Sequence, residues 1–265
     1  MHLPVLQKEV IEWLDPKAND NFIDCTINGG GHALALLEKT APAGKLLGID
    51  WSPEVIEACK LKTEYWQQRI KLVCDNFVNL REIVEREGFR SVKGVLLDLG
   101  FSSWHVEESG KGFSFLKDEP LDMRYNPQHH LTAQIIVNTW SESEIANILT
   151  EYGEESFAKK IAKHITEMRK QKPIHSTFQL IKTINDAVPA WYRHQRVHFA
   201  TKTFQAIRIA VNDELDNLKK VLPQTLEIMD SGGKLAVISF HSLEDRIVKN
   251  FLKENFQKKF INILN

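Results

Sequence analysis

Apolar residues occur in short, nearly continuous runs through the first hundred residues, and helical patterns lie between them. The apolar runs cover residues 21–25, 45–49, 70–74 and 93–99, and the helical patterns cover 31–39, 53–65 and 77–87. Apolar runs without alternation are typical of strands that are buried on both faces. Their alternation with helices therefore predicts a parallel sheet that is covered by helices on both sides.

The pattern changes after Gly100. Residues 101–131 are rich in Ser, Gly, Pro and charged residues, which is typical of a long functional loop, and only helical periodicity follows, from 132 to about 190. The later signals are a helix at about 203–221, a turn at Ser231-Gly232-Gly233 and a strand at 234–240. We therefore expect a discontinuous α/β domain, formed by 1–103 and 199–265, with a helical insertion at 104–198.

Three consecutive glycines follow the first apolar run, in the segment Asn28-Gly29-Gly30-Gly31-His32. Glycine lacks a Cβ, so backbone amides can approach a ligand closely here, and the next helix points its N-terminal amides at the same place. Asp50 ends the second run, where an acid suits a pair of ribose hydroxyls. The spacing is not the Gly-x-Gly-x-x-Gly that seats a pyrophosphate, so it favours a cofactor without phosphate, such as S-adenosylmethionine. A tight turn in another α/β domain is the alternative.

Asp98 ends the fourth apolar run, with Gly100 behind it. Ligands of open parallel sheets bind at the carboxyl ends of the strands, so we expect Asp98 to lie near Gly30 and Asp50. It could contact the amino-acid part of the cofactor or accept a hydrogen bond from a substrate amine. The alternative is an aspartate that only caps a turn.

Two further groups of residues suggest other chemistry. The segment 239–249 places His241 and Arg246 beside acids, but a Ser–His–acid hydrolase is disfavoured because no Gly-x-Ser-x-Gly is present. His194 and His198 have helical metal-ligand spacing without an evident third ligand, so no metal is expected.

Charge is unevenly distributed along the chain. The net charge is −1, yet residues 156–208 contain eleven Lys or Arg and only two acids, with His, Trp and Tyr interleaved. A basic segment in an acidic body favours a polyanionic partner, whereas a solvated helix face is the alternative.

The three cysteines have no paired spacing, and we expect Cys25 and Cys74, which end apolar runs, to be buried. The sequence shows no pattern typical of a signal peptide or a membrane span, so we expect a cytoplasmic protein without a membrane partner.

Several long motifs occur in order, from His2 to about Lys253. They are HLPVL (2–6), DCTINGGGH (24–32), LDLGFSS (97–103), GFSF (112–115), PLDMR (120–124), YGEE (152–155), ATKTFQAIRIAVNDEL (200–215) and ISFHSLEDRIVK (238–249). Together they resemble the bacterial 16S ribosomal RNA cytosine-N4 methyltransferase family (MraW/RsmH type).

The resemblance implies a Rossmann-like methyltransferase sheet with a helical insertion, S-adenosylmethionine as cofactor, and a cytidine in the decoding centre of 16S rRNA in the small ribosomal subunit as target. By position, it implies cofactor contacts at Gly30, Gly31, His32, Asp50, Phe77 and Asp98. The family has Gly at Asn28 and Pro-Gln at Trp104-His105, so His105 stands at a further cofactor position. The family also ends in an Arg- and Asn-rich tail with a final strand, whereas this chain stops at 263–265, so we expect the last sheet strand to be missing.

We therefore interpret the chain as an RNA methyltransferase with Asp98 as the catalytic acceptor of the amine hydrogens. The insertion is expected to be the RNA-recognition domain, and the residues expected to bind RNA are Lys159, Lys163, Arg169, Arg193, Arg196 and Lys202. A degenerate RNA-binding module without turnover is the main alternative, and a nicotinamide dehydrogenase is disfavoured by the glycine spacing. A homodimer is left open.

Overall fold

The structure is a computed structural model that describes residues 4–258 and 261–262. The first two residues of the HLPVL motif and the final Ile263-Leu264-Asn265 lie outside the described residues. The chain divides into two compact units. The first, which we call the sheet unit, comprises Met1–Ser102 and Leu215–Asn265, and the second, the helical unit, comprises Ser103–Glu214.

The helices and strands are numbered in chain order. They are α1 (Gln7–Leu14), β1 (Asn21–Asp24), α2 (Gly31–Lys39), β2 (Leu46–Asp50), α3 (Pro53–Lys62), β3 (Ile70–Cys74), α4 (Leu80–Arg86), β4 (Val92–Asp98), α5 (Ser103–Glu107), α6 (Ala133–Thr139), α7 (Glu142–Glu151), α8 (Ala158–Gln171), α9 (Thr177–Ala187), α10 (Ala190–Arg193), α11 (Thr201–Asn212), α12 (Glu214–Ile228), β5 (Met229–Ile238) and α13 (Ser242–Gln257). Short 3-10 helices lie at Glu64–Trp66 and Phe77–Asn79.

The sheet has five parallel strands in the order β3-β2-β1-β4-β5, which confirms the expected α/β fold. Successive side chains of a strand point to opposite faces. Ile23 and Leu47 accordingly pack into one apolar cluster, and Phe22 and Leu46 pack into another. The chain order reverses between β1 and β4, so the carboxyl ends of these two strands form the place where an open parallel sheet binds its ligand.

The structure differs from the sequence predictions at particular residues of the sheet unit. Helix α1 was not predicted. The predicted turn at 231–233 is wrong, because these residues lie inside β5, where Gly232 has a φ of 80° and the register with β4 shifts. Cys25 is buried as expected, but Cys74 is exposed because it ends β3 at the edge of the sheet.

The helical unit has its own apolar core. Side chains of α6, α7, α8, α9 and α11 form it, among them Ile136, Ile145 and Ile161. The predicted helix at 203–221 is two helices, because Asp213 takes a left-handed φ of 52° between α11 and α12. Since α11 packs into this core, the unit continues past residue 198 to Glu214.

The loop at 101–131 is ordered by contacts within the helical unit. The buried Asn212 side chain donates to the carbonyl of Met123 (2.8 Å) and accepts from the backbone N–H of Tyr125 (2.9 Å). Gly112 has a φ of 78°, and a Cβ there would lie 2.4 Å from the carbonyl oxygen of Pro120. Within the described part of the chain, no helix is both long and apolar enough to cross a membrane.

Candidate active site

The glycine loop connects β1 to α2 at the carboxyl edge of the sheet. Asn28 and Gly30 have left-handed φ values of 46° and 78°, and α2 begins directly at Gly31. Asparagine adopts this backbone region more readily than most residues with a side chain, so Asn28 preserves the shape that a glycine would give. A Cβ on Gly30 would lie 3.1 Å from the Cys59 sulfur, which leaves little room on that side of the loop.

Asp50 ties the glycine loop to the end of β2. One carboxylate oxygen accepts from the backbone N–H of Asn28 (3.1 Å), and the other accepts from that of Ser52 (2.9 Å). Burial raises the pKa of Asp50 to about 6, and these backbone N–H groups oppose the shift. Each carboxylate oxygen can accept more than one hydrogen bond, so both can still receive ribose hydroxyls.

Asp98 ends β4, and its carboxyl group lies beside His32. The Asp98 N–H donates to the Thr26 hydroxyl (2.6 Å), and a carboxylate oxygen of Asp98 is 3.8 Å from Nε2 of His32. Burial, and then the charge of Glu244, raise the pKa of Asp98 to about 6. Burial lowers the pKa of His32 below its ordinary value, against a smaller opposing effect of the Val5 backbone. At neutral pH an ionised carboxylate therefore faces a neutral imidazole.

Three buried polar atoms of the Asp98–His32 pair have no hydrogen-bond partner among the described residues. Oδ1 of Asp98 and both ring nitrogens of His32 are buried, and none of them makes a hydrogen bond of good geometry with the residues that the structure describes. Buried polar groups nearly always have a partner, so unmatched groups at a ligand-binding edge indicate where a bound molecule would supply one.

Asp24 is a third acid at this edge, and sequence analysis did not single it out. Its side chain is 1% exposed and accepts from the backbone N–H of Thr26 (3.1 Å). Burial raises the pKa of Asp24 to about 7, and the charges of Asp98 and Asp50 add to the shift. The sequence signal was present, since Asp24, Asp50 and Asp98 each end one of three adjacent strands.

The first residue of α1, and Pro4 before that helix, also contact the glycine loop. The Gln7 side chain donates to the carbonyl of Gly31 (3.0 Å). The Pro4 ring lies so close to Gly31 that a Cβ there would be 2.9 Å from its Cγ. The HLPVL motif thus reaches the loop through its described residues, which the sequence pattern alone did not predict.

The structure places the remaining predicted cofactor residues in different units. Phe77 begins a 3-10 helix shortly after β3, and Asp75 between them donates its N–H to the carbonyl of Asp50 (3.0 Å). His105 lies in the helical unit, where its buried ring centroid is 5.0 Å from those of Phe113 and Tyr125.

The residues expected to bind RNA all lie in the helical unit and fall into two groups. Arg169 and Lys202 are half-buried, and each donates to a backbone carbonyl, that of Val137 (2.9 Å) and that of Glu154 (2.8 Å) respectively. The exposed members are Lys159, Lys163, Arg193 and Arg196.

The carboxyl edge fits the expected cofactor in its charge. S-adenosylmethionine carries a positive sulfonium and a positive ammonium group at neutral pH. Asp24, Asp50 and Asp98 place three carboxyl groups there, and burial is the main cause of their raised pKa values, so a bound cation would favour their ionised forms. Gly30 and Gly31 pack closely against Cys59 and Pro4, where a side chain would not fit, and Asp50 provides acceptors for a ribose.

Comparison with known proteins identifies the family of the chain. The model of the MraW methylase family matches residues 1–263. A protein of Heliobacterium mobile named ribosomal RNA small subunit methyltransferase H is 47% identical over 254 residues, which cover 96% of this chain and 81% of the relative. Relatives with the same name from Symbiobacterium thermophilum (45% identical, covering 94% and 78%) and Clostridium botulinum (43%, covering 96% and 81%) also match. With its three-glycine loop and acidic strand ends, the chain therefore belongs to the MraW methylase family and is a methyltransferase whose methyl donor is S-adenosylmethionine.

Proposed function

We propose that the protein methylates N4 of a cytidine in the decoding centre of 16S rRNA in the small ribosomal subunit. The names of its relatives support a small-subunit ribosomal RNA substrate, and the family resemblance of the motifs supports the cytosine amine. The observation that carries the proposal is the half-buried Asp98 carboxylate, whose buried Oδ1 is unmatched among the described residues at the switch point of the sheet.

The reaction depends more on placing the cytosine amine correctly than on increasing its reactivity. The N4 lone pair of cytosine is delocalised into the ring, so the amine is a weak nucleophile that reacts only when it is aligned with the methyl group it attacks. S-adenosylmethionine supplies an electrophilic methyl group on a positively charged sulfur. Holding the amine in line removes much of the entropic part of the barrier.

Asp98 is the residue that aligns the amine. The pKa of Asp98 is about 6, so at neutral pH its carboxylate is ionised and Oδ1 can accept a hydrogen bond from an N–H of the cytosine amine. This hydrogen bond turns the nitrogen lone pair towards the methyl group. As the new N–C bond formed and the methyl–sulfur bond broke, with its electron pair left on a neutral thioether, the nitrogen would become positive, and the same carboxylate would stabilise that charge and could take the proton that leaves. His32, 3.8 Å away and neutral, limits the positions open to the carboxylate.

The helical unit supplies the positive charge that an RNA substrate requires. Lys159, Lys163, Arg193 and Arg196 are exposed, and Lys163 alone among them has an ion pair within the described chain, with Glu167 at 3.8 Å. We expect these side chains to contact phosphates, and the target base to leave its stack to reach Asp98.

The test is methyl transfer from labelled S-adenosylmethionine to small subunits that lack the modification. We expect label in the RNA and N4-methylcytidine after digestion to nucleosides, with Asp98→Asn strongly impaired. Absence of label in the RNA, or label on another atom, would contradict the proposal. RNA binding and cofactor binding without any transfer would instead identify a degenerate binding module.

Charge reversal separates RNA binding from cofactor binding. Arg193→Glu with Arg196→Glu should weaken RNA binding and lower the slope of log affinity against log salt by somewhat less than one for each lost contact. Cofactor affinity should not change, because the cofactor residues of the glycine loop belong to the other unit. The matched control is Lys39→Glu with Lys45→Glu, an equal charge change at exposed positions of the sheet unit. Equal RNA affinity of both double variants would show that RNA docks elsewhere.

A further inference from the structure

Phe240 presents an exposed aromatic ring at the carboxyl edge of the sheet. It follows β5 closely, and its side chain is 56% exposed, whereas Ile238, the last residue of the strand, is 7% exposed. A phenylalanine ring left largely in water costs free energy that burial would recover. A position of this kind at the edge where ligands bind therefore points to a partner for the ring.

The ring lies beside the strand end that carries Asp98. Asp98 pairs with Ile238 in the parallel register of β4 and β5, and the N–H of Leu99 donates to the carbonyl of Ile238 (3.0 Å). Gly100 has a φ of 91°, and a Cβ there would lie 3.5 Å from Cδ2 of Phe240. The ring thus lies next to Gly100, two residues after Asp98, at van der Waals distance from the position that a Cβ would take there.

The backbone of Phe240 is held while its ring stays free. The N–H of Phe240 donates to the Glu244 carboxylate (2.9 Å), and Glu244 is itself buried in the first turn of α13. The charge of Glu244 also raises the pKa of Asp98, which agrees with a position of the first turn of α13 near that carboxyl group. A backbone held in place near Asp98 carries the exposed ring to a position where a base could stack on it.

The order of the strands shows which ligand the ring can meet. Asp50, the ribose acceptor, ends β2, and β1 and β4 lie between β2 and β5. The adenosine half of the cofactor is therefore expected on the β2 side of the switch point. Phe240 lies on the opposite side of Asp98, where the substrate amine must arrive.

We propose that Phe240 stacks on the target base and holds the plane of the cytosine while Asp98 holds its amine. This inference rests on the proposed function and deepens it, because it names the residue that fixes the substrate ring. Aromatic side chains stack on unpaired bases in many proteins that bind single-stranded nucleic acids, and the contact is worth enough to dominate placement of one base.

The test compares Phe240→Leu with Phe256→Leu. Phe256 is a matched control, because it is 51% exposed, lies on α13 of the same unit and has no part in the proposed site. For Phe240→Leu we expect about a tenfold or larger loss of kcat/KM for small subunits, with the dissociation constant of S-adenosylmethionine unchanged. Phe240→Tyr and Phe240→Trp, which restore an aromatic face, should recover most of the activity. Phe256→Leu should resemble the wild type.

The outcomes distinguish this inference from the proposed function. If the wild type methylates RNA and Phe240→Leu equals Phe256→Leu, the assignment of Phe240 is wrong and the proposed function stands. If Phe240→Leu weakens S-adenosylmethionine binding as much as it weakens activity, the ring contacts the cofactor, and the assignment is again wrong. If the wild type transfers no methyl group to RNA, the proposed function fails and the assignment fails with it. Thermal unfolding of both leucine variants checks that each is folded.

Discussion

Asp24 gives the sheet unit a stability that depends on pH. Its side chain is 1% exposed, and burial raises its pKa from an ordinary 3.8 to about 7. Between these two values the folded protein holds a proton that the unfolded chain has already released. The free energy of unfolding must therefore fall as the pH rises through this window. Asp24→Asn removes the titrating group and keeps an oxygen for the Thr26 N–H, so the variant should lose this part of the pH dependence.

The size of the effect follows from the two pKa values. A shift of one unit corresponds to about 1.4 kcal/mol. From about pH 5 to about pH 7.5, the unfolded aspartate is ionised throughout, whereas the folded one ionises only near the top of the range. Linkage then gives a loss of about 2–3 kcal/mol of unfolding free energy for the wild type over this interval. Asp24→Asn should match the wild type only near about pH 3, where the aspartate is protonated in both states, and its advantage should grow by about that amount between pH 5 and pH 7.5.

Urea unfolding at a series of pH values, without cofactor, measures this difference. The control is Glu87→Gln in the same unit, because hydrogen bonds from Lys71 and Arg86 lower the pKa of Glu87. A lowered pKa stabilises the fold above the unfolded value, so this variant should lose the same stability at pH 5 and at pH 7.5. A constant difference between Asp24→Asn and the wild type across the range would refute the reasoning.

Three further predictions concern the cofactor site. Asp50→Ala should weaken S-adenosylmethionine binding by about 1.5–3 kcal/mol through the loss of a charged ribose acceptor, and an unchanged dissociation constant in calorimetry would refute that role. Gly30→Val should destabilise the protein by about 1–3 kcal/mol in urea unfolding and should abolish cofactor binding. The reason is that Gly30 has a φ of 78° and that a Cβ there would lie 3.1 Å from the Cys59 sulfur. Gly29→Ala is the control with a milder effect, because its Cβ would lie 3.5 Å from the flexible end of a lysine side chain. Cofactor affinity should fall as the pH drops below about 6, because Asp98 and Asp50 then become neutral and lose their attraction for a cationic ligand. Asp98→Asn, which retains only the Asp50 contribution, should show a flatter profile.

Local pattern was sufficient to predict much of the sheet unit. The first four strands and the helices between them follow from apolar runs and helical patterns. Helix α3 is capped by Ser52, whose side chain accepts from the N–H of Val55. Because strand ends meet at one edge, the sequence also predicted that Gly30, Asp50 and Asp98 converge. Each of these inferences depends only on residues close together in the chain, or on the topology that they imply.

The structural features that the sequence did not predict depend on contacts between residues that are distant in the chain. Asp213 interrupts a continuous helical pattern because its backbone is left-handed. No Gly or Pro at this position indicates the break in the sequence. The glycines at 232 and 233 suggested a turn, but pairing with β4 on both sides keeps them within β5. The proton affinity of Asp24 arises from burial beside two other acids, and the exposure of Phe240 arises from the way the chain leaves β5. These properties exist only once the sheet is assembled.

The pairing of β4 with β5 has a consequence for how the protein folds. Asp98 lies opposite Ile238, yet the whole helical unit, Ser103–Glu214, stands between them in the chain. On a ribosome the helical unit can complete its local contacts before β5 has been synthesised, whereas the sheet must wait for a strand far along the chain. We therefore expect the nascent chain to carry a folded helical unit next to an unfinished four-stranded sheet. In that interval the open edge of β4, with its unpaired backbone groups, is the part of the molecule most exposed to mispairing and aggregation.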